Sequence, residues 1–162
     1  MFAVSRAYLI EHLTAAGIKK PPLTSLKKLK ACAESHQAAV LFDREELVRS
    51  GRKAVYDAGG QPMQRITVFD RSIVWSVIIG EYTPEKAEEI YTRFLASLGT
   101  GFWADGDFIS IDASEAEWVD EEDSILHAKI AVRLTITCKG PLRRDTALQR
   151  LQQINITPDK EL

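Results

Sequence analysis

The chain has 162 residues, of which 45% are hydrophobic and 27% are charged. This length and composition allow a buried core without disulfides or a structural metal, and they exclude a wholly disordered protein. The 21 basic and 23 acidic residues give a net charge of -2, which argues against a strongly basic nucleic-acid-binding protein. The apolar runs are only a few residues long, so we expect neither a membrane-spanning helix nor a secretory signal.

Two helices are predicted ahead of the first strand. Residues 3–16 place their apolar side chains near one helix face, and Gly17 is a suitable end. Residues 24–34 follow a proline pair and predict a second, shorter helix whose outer side carries lysines. Residues 38–42 are apolar and bounded by polar residues, which indicates a short buried strand.

A long β region follows this strand. Residues 43–53 are charged, residues 53–57 resume a strand-like pattern, and a Gly-Gly-Gln-Pro sequence then turns the chain. Residues 64–82 are rich in Ile, Val, Phe and Trp, and we expect Trp75 to lie in the core. The apolar positions change parity near Asp70, which predicts a bulge or bend there.

The strongest helix signal lies at residues 83–98. Thr83 is a good N-cap, Pro84 suits the first turn, and Gly99 ends the pattern. Beyond it, residues 108–111 and 117–119 have the composition of short strands. Residues 125–138 alternate apolar and mostly polar side chains, which is typical of a strand with one buried face. The helix carries one apolar stripe, which consists of Ala87, Ile90, Tyr91, Phe94, Leu95 and Leu98.

This order predicts a single α+β domain at residues 1–140. We expect a mostly antiparallel, strongly curved β-sheet with two main helices packed on one face, plus protruding strands or a hairpin. A polar tail at 141–162 either forms a short helix near 145–153 or hangs free. The 14 residues of the last strand span roughly 46 Å, whereas a compact domain of this size is roughly 40 Å across. Either the sheet is strongly coiled, or strands reach out to pair with neighbouring subunits.

Charge is segregated along the chain. Residues 105–123 hold nine acids and no Lys or Arg, whereas residues 139–150 hold four basic residues and one acid. Opposite surfaces of this kind can join subunits head to tail; the alternative is a solvated acidic loop beside an independent basic tail. The acids lack the ligand spacing of a calcium-binding loop, so we predict no metal site.

No catalytic motif stands out in the sequence. Cys32 and Cys138 are far apart and have the character of buried thiols, and the three histidines are isolated. We therefore expect no enzyme activity, no cofactor and no metal. Two alternatives stay open, namely an enzyme that uses His127 with a nearby carboxylate and an adaptor that binds nucleic acid through residues 19–30.

The succession of elements carries a family resemblance. It consists of an N-terminal helix, a short apolar strand at 38–42, a long strand at 66–79 that includes Trp75, a helix stripe at 87–98, a strand at 108–111, the acidic break Asp120-Glu121-Glu122-Asp123 and a final alternating strand at 126–138. This pattern resembles the tail terminator proteins of long-tailed bacteriophages, the group that includes the lambda tail terminator. The resemblance covers about residues 3–139.

The resemblance implies a structural protein of a phage or prophage. Members of the group form a hexameric ring that caps the tail tube, stops tube polymerisation and presents a surface for head attachment. The expected partners are further copies of the chain, the tail tube protein and a head-completion or connector protein. DNA would pass through the lumen without sequence-specific binding, and no membrane is involved. The expected location is the virion tail, and the bacterial cytoplasm during assembly.

Two sets of residues are candidates for these contacts. Arg44, Arg49, Arg52 and Lys53 form a candidate loop that faces the tube or another partner, or lines the lumen; the alternative is an ordinary charged loop. The candidate inter-subunit contacts are Trp103, Trp118, Asp120, Glu121, Glu122, Asp123, Arg143 and Arg144. For the two tryptophans, the alternative is that they cover the rim of the core.

A second function class competes with the ring. A small ferredoxin-like ligand-binding or regulatory module has the same mix of helices and strands and would use a pocket between helix and sheet. The mass of the native particle separates the two classes, because a ring requires a discrete oligomer.

Overall fold

The computed structural model describes residues 1–120 and 130–148. Its class is α+β, with a five-stranded antiparallel sheet and three helices, which confirms the predicted class. No helix in the described ranges is long and apolar enough to cross a membrane. In chain order the elements are α1 (Phe2–Ala16), α2 (Leu26–Lys30), β1 (Gln37–Asp57), β2 (Pro62–Glu81), α3 (Pro84–Ser97), β3 (Gly101–Ala104), β4 (Asp107–Asp120) and β5 (Ile130–Ala147).

The sheet is open and has the strand order β1-β2-β5-β4-β3. Every neighbouring pair is antiparallel, so the direction of the strands alternates across the whole sheet. A tight turn joins β1 to β2, where the Ala58 N–H donates to the Gln61 carbonyl at 2.9 Å. β1 and β3 are therefore the two outermost strands.

The main core cluster contains residues from α1, α3 and the sheet. Trp75 is its largest fully buried side chain, as the sequence predicts, and its indole N–H donates to the Ser5 hydroxyl at 3.2 Å. A smaller cluster uses the other parity of the strands and joins Leu29 of α2 to Ile78 of β2. The main cluster includes Leu9, Leu13, Val40, Ile73, Val77, Ile79, Ile90, Phe94, Val132, Leu134 and Ile136.

The ends of the two long helices follow from local sequence. The Thr83 hydroxyl accepts a hydrogen bond from the Lys86 N–H at 3.4 Å, and Pro84 is the first residue of α3, as predicted. Helix α1 ends at Gly17, whose φ of 122° lies in a region that other residues avoid. Helix α2 has only five residues and is shorter than the predicted 24–34 helix.

The strands are longer than the sequence patterns suggest. Residues 43–53 are the middle of β1 rather than a charged loop, because they pair with β2 along almost their whole length. Residues 108–111 and 117–119 belong to one strand, β4, which Glu115 interrupts as a bulge with a φ of 52°. The irregularity predicted near Asp70 lies at Val68, where the register with β5 shifts.

The last strand also differs from its predicted bounds. Strand β5 continues to Ala147, so residues 141–147 are paired with β2 and are not part of a free polar tail. The predicted helix near 145–153 begins inside this strand, and its remainder from residue 149 lies outside the described ranges, as do residues 125–129 of the predicted strand. The short strand β3 carries no alternation and was not predicted.

Candidate functional site

Three strands continue beyond the buried part of the sheet. We name this extension the distal arm and define it as residues 43–57, 62–72 and 139–147. Residues 37–40 of β1 are buried, whereas most later residues of that strand are exposed. A strand of 21 residues spans roughly 69 Å, well beyond the roughly 40 Å of a compact domain. The arm is therefore held by strand pairing more than by burial.

A polar cluster ties the three strands of the arm together. Arg65 of β2 donates two hydrogen bonds to the Asp145 carboxylate of β5, at 2.8 and 2.7 Å, and the Tyr56 hydroxyl of β1 donates a third at 2.8 Å. The hydrogen bonds from the Arg65 guanidinium, followed by that from Tyr56, lower the pKa of Asp145 to about 2. This three-strand contact was not predicted, since only the folded register brings the three residues together.

The four candidate loop residues all lie on β1, within the arm, but they do not form one patch. Arg44 donates to the carboxylates of Asp43 and Glu46, both at 2.9 Å. Arg49 lies over the Phe69 ring at 5.1 Å. Arg52 forms an ion pair with Asp70 of β2, and Lys53 lies opposite Ile66 of the same strand.

An open groove of about 750 Å³ crosses the arm, and its walls are basic. Most of its cations already have partners: Arg52 pairs with Asp70, and Arg65 pairs with Asp145. Lys139 lies 3.6 Å from an acid of β4. The groove is thus largely neutralised by the chain itself, which makes it a poor site for a polyanion. Its lining includes Arg52, Lys53, Tyr56, Thr67, Ser72, Lys139, Pro141 and Arg143.

The opposite edge of the sheet, formed by β3 and β4, is acidic. Residues 101–120 contain six acids and no Lys or Arg. Strand β3 pairs only with residues 107–110 of β4, and the Ile111 N–H donates to the Thr100 carbonyl at 2.9 Å. Within the described ranges, no strand pairs with the outer edge of residues 112–120.

The two candidate tryptophans lie on opposite faces of the sheet. Trp118 pairs with Val132 of the core cluster and makes an edge-to-face contact with Tyr91 of α3 at 5.7 Å. Trp103 points the other way, packs on Phe108 at 5.5 Å and is 73% exposed. Trp103 is therefore much the more accessible of the two.

The remaining candidates divide into described and undescribed residues. Arg143 forms an ion pair with Asp107 inside the chain, and Arg144 follows it on β5 opposite Ile66. Asp120 is the last residue of β4, where its backbone pairs with β5. Glu121, Glu122 and Asp123, like His127, lie outside the described ranges.

A buried polar contact at the other end of the sheet was missed by the sequence patterns. Glu81 is 2% exposed and bonds to Nδ1 of His36, while the Lys19 N–H donates to Nε2 of the same ring at 3.4 Å. Since both ring nitrogens are engaged, His36 links the segment after α1 to the end of β2.

The described ranges hold no group of three or more His, Cys, Asp or Glu side chains placed to bind a metal ion. Both cysteines are free, and burial raises the pKa of the Cys138 thiol to about 11, which suits an unreactive core residue.

No protein-family model matches this chain, and no curated protein matches it. The structure defines the class as an α+β protein with an open antiparallel sheet.

Proposed function

We propose that the protein is a ring-forming assembly protein of a phage or prophage tail, with the role of a tail terminator. The observation that carries the proposal is the distal arm, which exposes strand edges and apolar side chains far from the core. A monomer gains nothing from a long strand pair held outside its core, whereas a ring uses it to contact a neighbour.

Exposed apolar side chains on the arm support this proposal. Leu47, Val48 and Val55 on β1 are 52%, 65% and 65% exposed. Exposed apolar side chains of this kind become buried when a partner chain covers the strand. The arm is therefore the first surface we assign to contacts between protein chains.

The proposal gives each part of the molecule a task. In the ring, the sheet is strongly curved and the two main helices cover one of its faces. The arm contacts the next subunit, and one rim of the ring binds the tail tube protein while the other binds a head-completion or connector protein. DNA passes through the lumen without sequence-specific contacts, in the virion tail and in the bacterial cytoplasm during assembly.

Native mass spectrometry across protein concentration tests the ring. We expect a monomer that converts to a discrete hexamer as concentration rises, with annular particles in negative-stain electron microscopy. A second test mixes the protein with the polymerising tail tube protein of the phage or prophage that encodes it. We expect shorter tubes, each with a cap at one end.

Two results contradict this function. A strict monomer or dimer at all concentrations, with tubes of unchanged length, removes the ring and the cap. Such a protein would instead fit the ferredoxin-like ligand-binding or regulatory module, and thermal stabilisation by a small-molecule library would be the next measurement.

A further inference from the structure

Two open strand edges on opposite sides of the sheet have opposite charge. Residues 47–56 of β1 contain three basic residues, Arg49, Arg52 and Lys53, and no acid. Residues 112–120 of β4 contain four acids and no basic residue. In the part of the chain that the structure describes, neither outer edge is paired with another strand.

We propose that the basic edge at residues 47–56 of one copy pairs with the acidic edge at residues 112–120 of the next, so that the sheet continues from subunit to subunit. The inference rests on the proposed ring and names the surfaces that build it. Main-chain hydrogen bonds supply the adhesion, and the opposite charges select this pairing over others.

Strand polarity favours this pairing. The strand directions alternate across β1, β2, β5 and β4, so β1 and β4 run in opposite directions. When β4 of one copy meets β1 of the next in the same orientation, the new pair is antiparallel and the alternation continues. The two edges differ within each copy, so the contact is heterologous, and it gives a ring when the rotation between copies closes and a helical filament when it does not.

Charge also explains why each edge does not pair with itself. Two copies of the basic edge repel each other, as do two copies of the acidic edge, and charged edge strands resist non-specific pairing for this reason. Within each copy Arg52 already pairs with Asp70, and Asp112 lies 3.6 Å from Lys139. The mixed contact is therefore selected mainly by Arg49 and Lys53 facing Glu117. The exposed Leu47 and Val55 would be covered in the same contact.

The register predicts how the copies are offset. One row of paired residues crosses the sheet and consists of Glu45, Ile73, Cys138 and Ile111. Along the strand direction, residues 47–56 lie on one side of this row and residues 112–120 lie on the other. Neighbouring copies must therefore be shifted along the strands by roughly 40 Å. A ring with such a shift has strands inclined to its axis, as strands are in a closed barrel.

Two charge-reversed variants test the pairing. The first carries Arg49→Glu, Arg52→Glu and Lys53→Glu, and the second carries Asp112→Lys and Glu117→Lys. We expect the association constant of each variant alone, measured by sedimentation, to fall roughly a hundredfold, because like charges then face each other. An equimolar mixture should recover the wild-type particle with the two variants in equal number, since each altered edge again meets its opposite.

Matched controls carry the same change in charge elsewhere. For the first variant the control is Lys27→Glu, Lys28→Glu and Lys30→Glu on the exposed side of α2, and for the second it is Glu11→Lys with Glu88→Lys on the helices. Both controls should assemble like the wild type. Recovery in the mixture also shows that both edge variants are folded.

The outcomes separate this inference from the proposed function. If the wild type forms rings and both edge variants do so equally well, the pairing is wrong and the ring stands. If the wild type never associates, both are wrong. If only the 47–56 variant loses binding to a fluorescent DNA oligonucleotide while the 112–120 variant assembles normally, the basic edge serves a nucleic acid and the pairing is overturned.

Discussion

The buried half of the sheet and the distal arm are built from the same strands but are stabilised differently. In the buried half, strand residues share one core cluster with residues of α1 and α3, and alternate residues such as Trp75 and Val77 are fully buried. In the arm, the same β2 strand carries half-buried residues, held by strand pairing and ion pairs such as Arg65–Asp145. Residues of the buried half therefore hold the fold together, whereas many residues of the arm are exposed to solvent.

The largest difference is expected between two tryptophans. Trp75→Ala leaves a large cavity in the core and should lower the free energy of unfolding by about 3–5 kcal/mol. Trp103→Ala removes a side chain that is 73% exposed and should change it by no more than about 0.5 kcal/mol. Denaturation followed by circular dichroism measures the free energy of unfolding of both variants. Equal decreases would contradict the distinction between the buried Trp75 and the exposed Trp103.

A second prediction concerns the acidic side of the sheet. A Cβ at Gly101 would overlap the Ile109 carbonyl oxygen, so Gly101→Ala forces β3 away from β4. We expect the free energy of unfolding, measured by thermal denaturation, to fall by about 1–3 kcal/mol. Gly99→Ala is the matched control, because a Cβ there meets its nearest neighbour at 3.5 Å. If the control loses as much as Gly101→Ala, the close approach of the strands is not the cause.

The arm has its own dependence on pH. The folded-state pKa of Asp145 is about 2, below the ordinary value of about 3.9 for an aspartate. The ionised carboxylate therefore stabilises the arm fully above about pH 3.9, and this stabilisation is lost as the pH falls through about 2. Asp145→Asn should make amide exchange in the arm a few-fold faster at pH 6, with no change in the core. Asp43 pairs with Arg44 of the same strand, so Asp43→Asn should leave amide exchange in the arm as in the wild type.

The smallest effect on the monomer is expected from the exposed apolar residues of the arm. Val55→Ser should change the free energy of unfolding by less than about 0.5 kcal/mol, because the side chain is 65% exposed. It should nevertheless weaken self-association several-fold, measured by sedimentation equilibrium. If Val55→Ser lowers the free energy of unfolding and leaves self-association unchanged, Val55 stabilises the fold and does not contact another copy.

The sequence predicted the parts of the fold that have strong local signals. The cap at Thr83, the stop at Gly17 and the buried parity around Trp75 all lie where predicted, because each depends on neighbouring residues. The arm was harder to predict, since a charged stretch such as 43–53 becomes a strand only through pairing with β2. Alternation fails as a signal when neither face of a strand is buried.

The candidate site was predicted in composition but not in arrangement. The acidic segment and the basic residues at 44–53 were visible as sequence, whereas their placement on opposite edges depends on the strand order, which no local pattern encodes. The basic stretch predicted to oppose the acids, at 139–150, has its described residues on β5 inside the sheet and not on an edge. The ion pair of Arg143 with Asp107 within the chain likewise comes from β5 extending past its predicted end.

The central claim is that the open edges of the sheet are where copies of this protein meet. Hydrogen exchange measured by mass spectrometry, at a concentration where the protein is monomeric and at one where it is assembled, tests this directly. We predict that residues 47–56 and 112–120 gain protection on assembly, while residues 84–97 of α3 stay unchanged. Protection gained on α3 alone, with both edges exchanging as in the monomer, would contradict the account.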